Sequence, residues 1–211
     1  MYALADQGRS DDAADTFSGS TDGRSLRRER NRDSVIEALL DLVREGNMDP
    51  GGAEIAERAG VSHRSVFRYF DDLGDLIRTA IDTELGRAQA LGEIDDLGEG
   101  TLDHRIEVLV DTRLRMFDYT HGIISLARVR AFALPDIDTQ FAEMALCVRE
   151  QLRVHIAPEL APVADADRES LLDTVQCLVS WDVYDWHRRL LGHTDDDIRR
   201  AWVFALNALL R

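Results

Sequence analysis

Between Ala53 and Phe70 the chain reads AEIAERA, GVS, HRSVFRYF, and the residues at the joints of that pattern restrict the fold more than any other stretch. Ala56 is small enough for a second helix to cross the first at close range. Gly60, four residues on, is able to take the left-handed conformation that reverses the chain in a short turn. Val61 and Val66 point inward to lock the crossing, and Ile55, Ala59 and Phe67 complete the apolar side. Ser62 is placed to N-cap the second segment, its oxygen accepting from the free amides at the helix start. Together these positions predict a helix-turn-helix over about 52–70.

The flanking sequence is helical in period. Val35, Ile36, Leu39, Leu40 and Val43 share one face of a helix over 25–45, and Gly46 stands at its C-terminal cap. Leu73, Leu76, Ile77, Ala80, Ile81 and Leu85 mark a fourth helix. Beyond Gly92 the pattern predicts helices over about 101–119, 122–133, 136–157, 165–191 and 195–210. Gly122, Pro135, Pro158 with Pro162, and Gly192 punctuate them. Thr194 and three following aspartates make a strong start for the last one. With no alternating β-branched run and no internal repeat, the expected fold is all-α. A three-helix unit over 24–72 is joined by the fourth helix to a helical body over 73–211. Residues 1–23, rich in Asp, Ser, Gly and Ala, read as a disordered acidic tail.

Charge bounds the function. The formal net charge is -15, and all 25 basic residues are arginine, which excludes Schiff-base and P-loop lysine chemistry but not phosphate or base recognition. The distribution is uneven: 1–23 carries -4, 24–70 carries +1 and 71–211 carries -12. Only the helix-turn-helix unit escapes the acidity. Cys147 and Cys177 form no CxxC pair or zinc spacing and are expected as buried thiols; no metal or cofactor is implied. The N-terminus lacks an apolar leader and no run is long enough to span a bilayer, so a cytoplasmic protein with no membrane partner is expected. Motifs of the GxSxG, HExxH, GxGxxG and P-loop types are absent, and Asp182, Asp185 and His187 read as a mixed-charge helix face. An enzyme is not expected.

The stretch EIAERAGVSHRSVFRYFDDLGDLI, residues 54–77, resembles the TetR family of bacterial transcriptional regulators. Specific similarity spans about a quarter of the chain; the remainder matches in length and helix content. The resemblance implies a dimeric regulator, commonly a repressor, that binds palindromic operator DNA and is released by a small-molecule effector. It also implies that His63, Arg64 and Ser65 face the major groove, that Ser62 and Tyr69 reach phosphates, and that Arg68 serves either role. Arg64 has the fork that matches a guanine edge. Arg24, Arg27, Arg28 and Arg30 would lie along the backbone or in the minor groove. The sequence departs from the family pattern at Phe67, where a Tyr is usual, at Leu73, where a Lys is usual, and at Gly51-Gly52, where a Thr often opens the helix. With Asp71 and Asp72 alongside, these departures shift the expected phosphate grip toward the arginines before the first helix. The rival reading is an all-α protein whose helix-turn-helix is a protein-interaction or vestigial module.

In the body, Arg113, Met116, Phe117, His121, Phe132, Phe141, Met144, Cys147, Trp181 and Tyr184 are candidates to line an effector cavity, although a bundle core looks the same in sequence. The acidity of the body suggests a cationic effector. The last two helices carry more large apolar residues than one hairpin buries. Leu178, Trp186, Leu190, Trp202, Leu206 and Leu209 are therefore the expected homodimer interface.

Overall fold

The computed structural model describes residues 19–130 and 136–211; the first eighteen residues of the expected tail and the segment 131–135 lie outside them. Among the described residues all regular structure is helical, and no helix is long and apolar enough to cross a membrane.

Helix α1 (Gly19–Arg44) begins inside the expected tail and ends at Gly46. There φ is 93°, and the amides of Gly46 and Asn47 return to the carbonyls of Val43 and Leu42. Two crossed bonds of this kind satisfy carbonyls that a helix end would otherwise leave free, and only glycine takes that backbone cheaply. Helices α2 (Gly52–Arg58) and α3 (His63–Tyr69) follow, with the same device at Gly60, where φ is 66° and Val61 donates to the Ala56 carbonyl. Ser62 N-caps α3, accepting from the Ser65 amide. Asp72 caps α4 (Leu73–Gln89) in the same way through Asp75, so the acid beside α3 has a local structural task.

Val66 is buried as expected, and Ala59 and Val61 pack at the edge of the core. Phe67 is not part of it. Its ring is 43% exposed and lies edge-on to His63, with centroids 5.0 Å apart. Gly52 explains the position: a Cβ there would come within 3.1 Å of His63 and 3.3 Å of Phe67, so the glycine leaves room for both rings over the start of α2.

Helix α5 (Leu102–Arg130) is one continuous rod, roughly 43 Å long at the usual rise per residue. The expected break at Gly122 does not occur. A Cβ at Gly122 would sit 3.1 Å from Val43 Cγ1 and 3.4 Å from the Val43 carbonyl, so the residue admits α1 to close contact instead of ending the helix. The second half of α5 shares a core with α1 to α4, and its first half shares another with the C-terminal helices.

Those helices are α6 (Asp136–His155), the short α7 (Ala157–Leu160), α8 (Asp165–Leu178), α9 (Trp181–Asp185) extended by a π-helical turn over Trp186–Leu190, and α10 (Asp195–Leu210). The single helix expected over 165–191 is thus interrupted. Ser180 opens a new helix by accepting from the Val183 amide, a cap that no glycine or proline advertises. Thr194 and Asp197 form a reciprocal capping box at the start of α10.

Two expectations about burial are overturned. Cys147 and Cys177 are both exposed. In α8 the buried positions are Leu172 and Val175, continued by the C-cap Val179, and Cys177, two residues from each of the last two, falls on the opposite face. Trp202 and Leu206 are fully buried within the protomer, on the stripe Ile198, Trp202, Leu206, Leu210 that α10 turns to α5 and α8, so neither is available to a second copy. Leu178 is half-buried against the same core. The large apolar side chains left in solvent are Trp186, Leu190, Leu191, Phe204 and Leu209 at this end of the body, with Phe204 78% exposed.

Candidate nucleic-acid interface and body cavity

The outward face of α3 presents His63, Arg64, Phe67 and Arg68. Ser65 is half-buried, its hydroxyl 2.8 Å from the Ser62 hydroxyl. Capping therefore occupies Ser62 and Ser65 first with each other. His63 leans on Phe67, while Arg64 projects freely.

Beside this face α1 and α3 form a shallow basic cleft lined by Arg27, Arg28, Asn31, Arg68 and Tyr69. Its centre is the Tyr69 hydroxyl, which accepts from Asn31 Nδ2 at 3.2 Å and from Arg68 at 2.8 Å. The Arg68 guanidinium also stacks over the Tyr69 ring at 5.0 Å. The Asn31 hydrogen bond, with the charges of Arg68 and Arg28, holds the phenol below its ordinary pKa. Asn31 and Arg68 both donate to this oxygen and neither can accept from it at these atoms, so the phenolic O–H is left to donate to an incoming anion. Arg30 and the guanidinium of Arg32, which stacks on Phe70 at 4.9 Å, stand nearby on α1. The Arg24 side chain lies outside the described residues.

Pairing separates most arginines of the two halves, Arg44 and Arg58 of the head being the ones there that pair with acids. Arg27, Arg28, Arg30, Arg32, Arg64 and Arg68 have no carboxylate within 4.0 Å among the described residues. Most arginines of the body are tied to acids: Arg149 to Glu169 and Asp173, Arg153 to Glu169, Arg105 to Glu159, Arg128 to Asp182 and Arg188 to Asp195. Flanked by Arg153 and Arg149, Glu169 is held down at a pKa of about 2.

Between α4, α5 and α6 lies a cavity of about 490 Å³. Five of the expected residues line it: Arg113, Met116, Phe117, Met144 and Cys147. Four do not. Tyr184 is fully buried against Phe117, where burial pushes its phenol up to about 12; His121 and Trp181 stack beside it, and Phe141 packs on Arg128. Phe132 lies outside the described residues. The helical period was blind to the α4 wall, made by Leu85, Gly86, Ala88 and Gln89, because that face looks like an ordinary amphipathic stripe.

Arg113 is 1% exposed, and its only hydrogen-bond partner among the described residues is the neutral Gln151 oxygen at 3.2 Å. Burial lowers its pKa to about 10, which leaves it charged at neutral pH. Its Nε has no hydrogen-bond partner among the described residues.

The described residues thus define an all-α protein with a helix-turn-helix at one end of a helical body. No protein-family model matches the chain and no curated protein does. Among solved structures, a transcriptional regulator from Rhodococcus sp. Rha1 has the same architecture, with a TM-score of 0.63 over 87% of this chain and 95% of that one. Their sequence identity is 17%, so the likeness establishes the fold.

Proposed function

We propose that the chain is a TetR-like transcriptional regulator, a repressor that binds palindromic operator DNA as a homodimer and is released by a small-molecule effector. One observation carries the DNA-binding part: most of the arginines without an acid partner gather on α1 and α3 around the Tyr69 hydroxyl, while the arginines of the body are mostly neutralised. Phosphate oxygens are the acceptors such a cluster fits, and Arg64 stands beside it on α3, where base edges would be reached. The fold shared with a transcriptional regulator is consistent with this use.

Dimerisation is supported by the apolar surface of Trp186, Leu190, Leu191, Phe204 and Leu209, which a two-fold copy of the same surface would cover. Release is supported by α4. Its first half packs Leu76, Ile77, Ala80 and Ile81 into the head, and its last turns line the cavity. Buried Glu84, paired with Arg44 at 2.7 Å and with Arg87, fastens that helix to α1. A ligand that moves α4 would therefore move the basic cleft with it.

The test is a mobility shift on DNA from upstream of the gene. Binding should weaken steeply with salt, and Arg64→Ala should abolish the specific complex. Absence of any shift at low salt, or an affinity with no salt dependence, overturns the reading and favours a protein-interaction module.

A further inference from the structure

The cavity contains a charge that the described residues leave without a counter-ion. Arg113 comes from the middle of α5, where it is enclosed by apolar neighbours, and among the described residues no carboxylate lies within 4.0 Å of it. Isolated buried charges are costly and are ordinarily paired. The same chain pairs its other enclosed arginine, Arg105, with Glu159 and the Gly100 carbonyl.

The surroundings are arranged to hold the guanidinium in place without neutralising it. Gln151 donates from Nε2 to the Gly92 carbonyl at 2.7 Å, which fixes the amide so that its oxygen faces Arg113. That uses one of five guanidinium hydrogens. Met116, Phe117, Ile124, Met144 and Val148 supply apolar wall around it. The one acid of the lining, Glu93, is exposed to solvent at the rim and makes no ion pair with Arg113.

We propose that this cavity binds a small carboxylate with an apolar body, the carboxylate pairing with Arg113 and the body lying on the Phe117, Ile124 and Met144 wall. A volume of about 490 Å³ suits one medium-sized molecule of this kind. The cationic effector suggested by overall acidity is disfavoured, since an ammonium group would meet a like charge. The proposal rests on the regulator reading only for its effect on DNA; binding stands or falls by itself.

The experiment is isothermal titration of the full chain with decanoate, decanol and decylamine, which share a tail and differ in head-group charge. Decanoate should bind roughly ten- to hundredfold more tightly than decanol, the range expected for charge-assisted hydrogen bonds, and decylamine more weakly than either. Arg113→Met should reduce decanoate to the affinity of decanol. Met144→Trp, which keeps the charge and fills the wall, should abolish binding of all three. Equal or tighter binding of decanol or decylamine, an Arg113→Met variant that keeps the preference, or no binding of any probe overturns the proposal. The wild-type comparison decides even if a variant fails to fold. The mobility shift, repeated with decanoate, separates the two readings. Decanoate that binds without loosening DNA leaves the site standing and removes effector release, whereas DNA released only by neutral or cationic compounds does the reverse.

Discussion

Replacing Arg28 and Arg68 with alanine is the sharpest test of the basic cleft, because the cost can be worked from the number of phosphates touched. Each neutralised phosphate adds about 0.9 to the slope of log affinity against log salt. The proposed dimer would carry each residue twice, so Arg28→Ala should reduce the slope by about 1.8 and the double variant by about 3.6. At roughly 0.1 M salt the same relation makes each contact worth just under tenfold, so the double variant should bind more than a thousandfold less tightly. Tyr69→Phe gives the internal contrast. It removes a neutral donor, so affinity should fall by a constant factor while the slope is kept. Arg149→Ala is the control, since that side chain is already committed to Glu169 and Asp173. Fluorescence anisotropy across a salt series measures all four. A double variant whose line runs parallel to wild type, or an Arg149→Ala variant that loses as much slope as Arg28→Ala, would refute the assignment of phosphate contacts to this cleft.

Phe204→Glu should abolish the proposed dimer, leaving monomer in sedimentation experiments with little change in protomer melting, because Phe204 is 78% exposed. Trp202→Ala should instead destabilise the protomer by about 3–5 kcal/mol in chemical denaturation, the cost of emptying a core site of that size. Glu84→Gln removes the buried acid that bridges Arg44 and Arg87 but leaves each arginine its second partner, Asp41 and Glu37, so a loss of no more than about 1–2 kcal/mol is expected, with weaker transmission between cavity and cleft read as a smaller effector response. His155 accepts from the Gly98 amide and donates to the Arg105 carbonyl, and burial lowers its pKa below 6.5. The unfolded chain then binds the proton more readily, so stability is full above pH 6.5 and falls as pH drops below it, by up to about 1.4 kcal/mol per unit for this one group. His155→Gln should flatten that limb; an unchanged slope would rule the residue out as its source.

The head was legible in the sequence because its geometry admits few residue types. Only a glycine makes the turns at Gly46 and Gly60 without strain, and only a small side chain fits the crossing at Ala56. The body was less legible because helical periodicity reports which face is apolar but not what it meets. Trp202 and Phe204 look alike as residue types, yet one fills the protomer core and the other stands in solvent. Gly122 carried the opposite ambiguity, since a glycine that ends a helix and a glycine that lets two helices touch are the same letter. The cavity was half visible: Arg113 stood out as a charge in an apolar stretch, but its lack of a carboxylate depends on side chains up to 38 residues away in sequence.

The pairing pattern also resolves how a chain of net charge -15 would approach a polyanion. Net charge governs the far field, and there the body, with -12 over 71–211, repels DNA. At contact the governing quantity is which guanidiniums are unpaired, because an arginine already bridged to an acid gains little by exchanging it for a phosphate. On the body that exchange would break pairs such as Arg153 with Glu169 or Arg188 with Asp195; for the arginines of the cleft, Arg27, Arg28 and Arg68, no ion pair among the described residues has to be broken. Repulsion from one end and unspent donors at the other therefore act in the same direction. They would turn the head toward the duplex and hold the body, with its cavity and its apolar end, away from it.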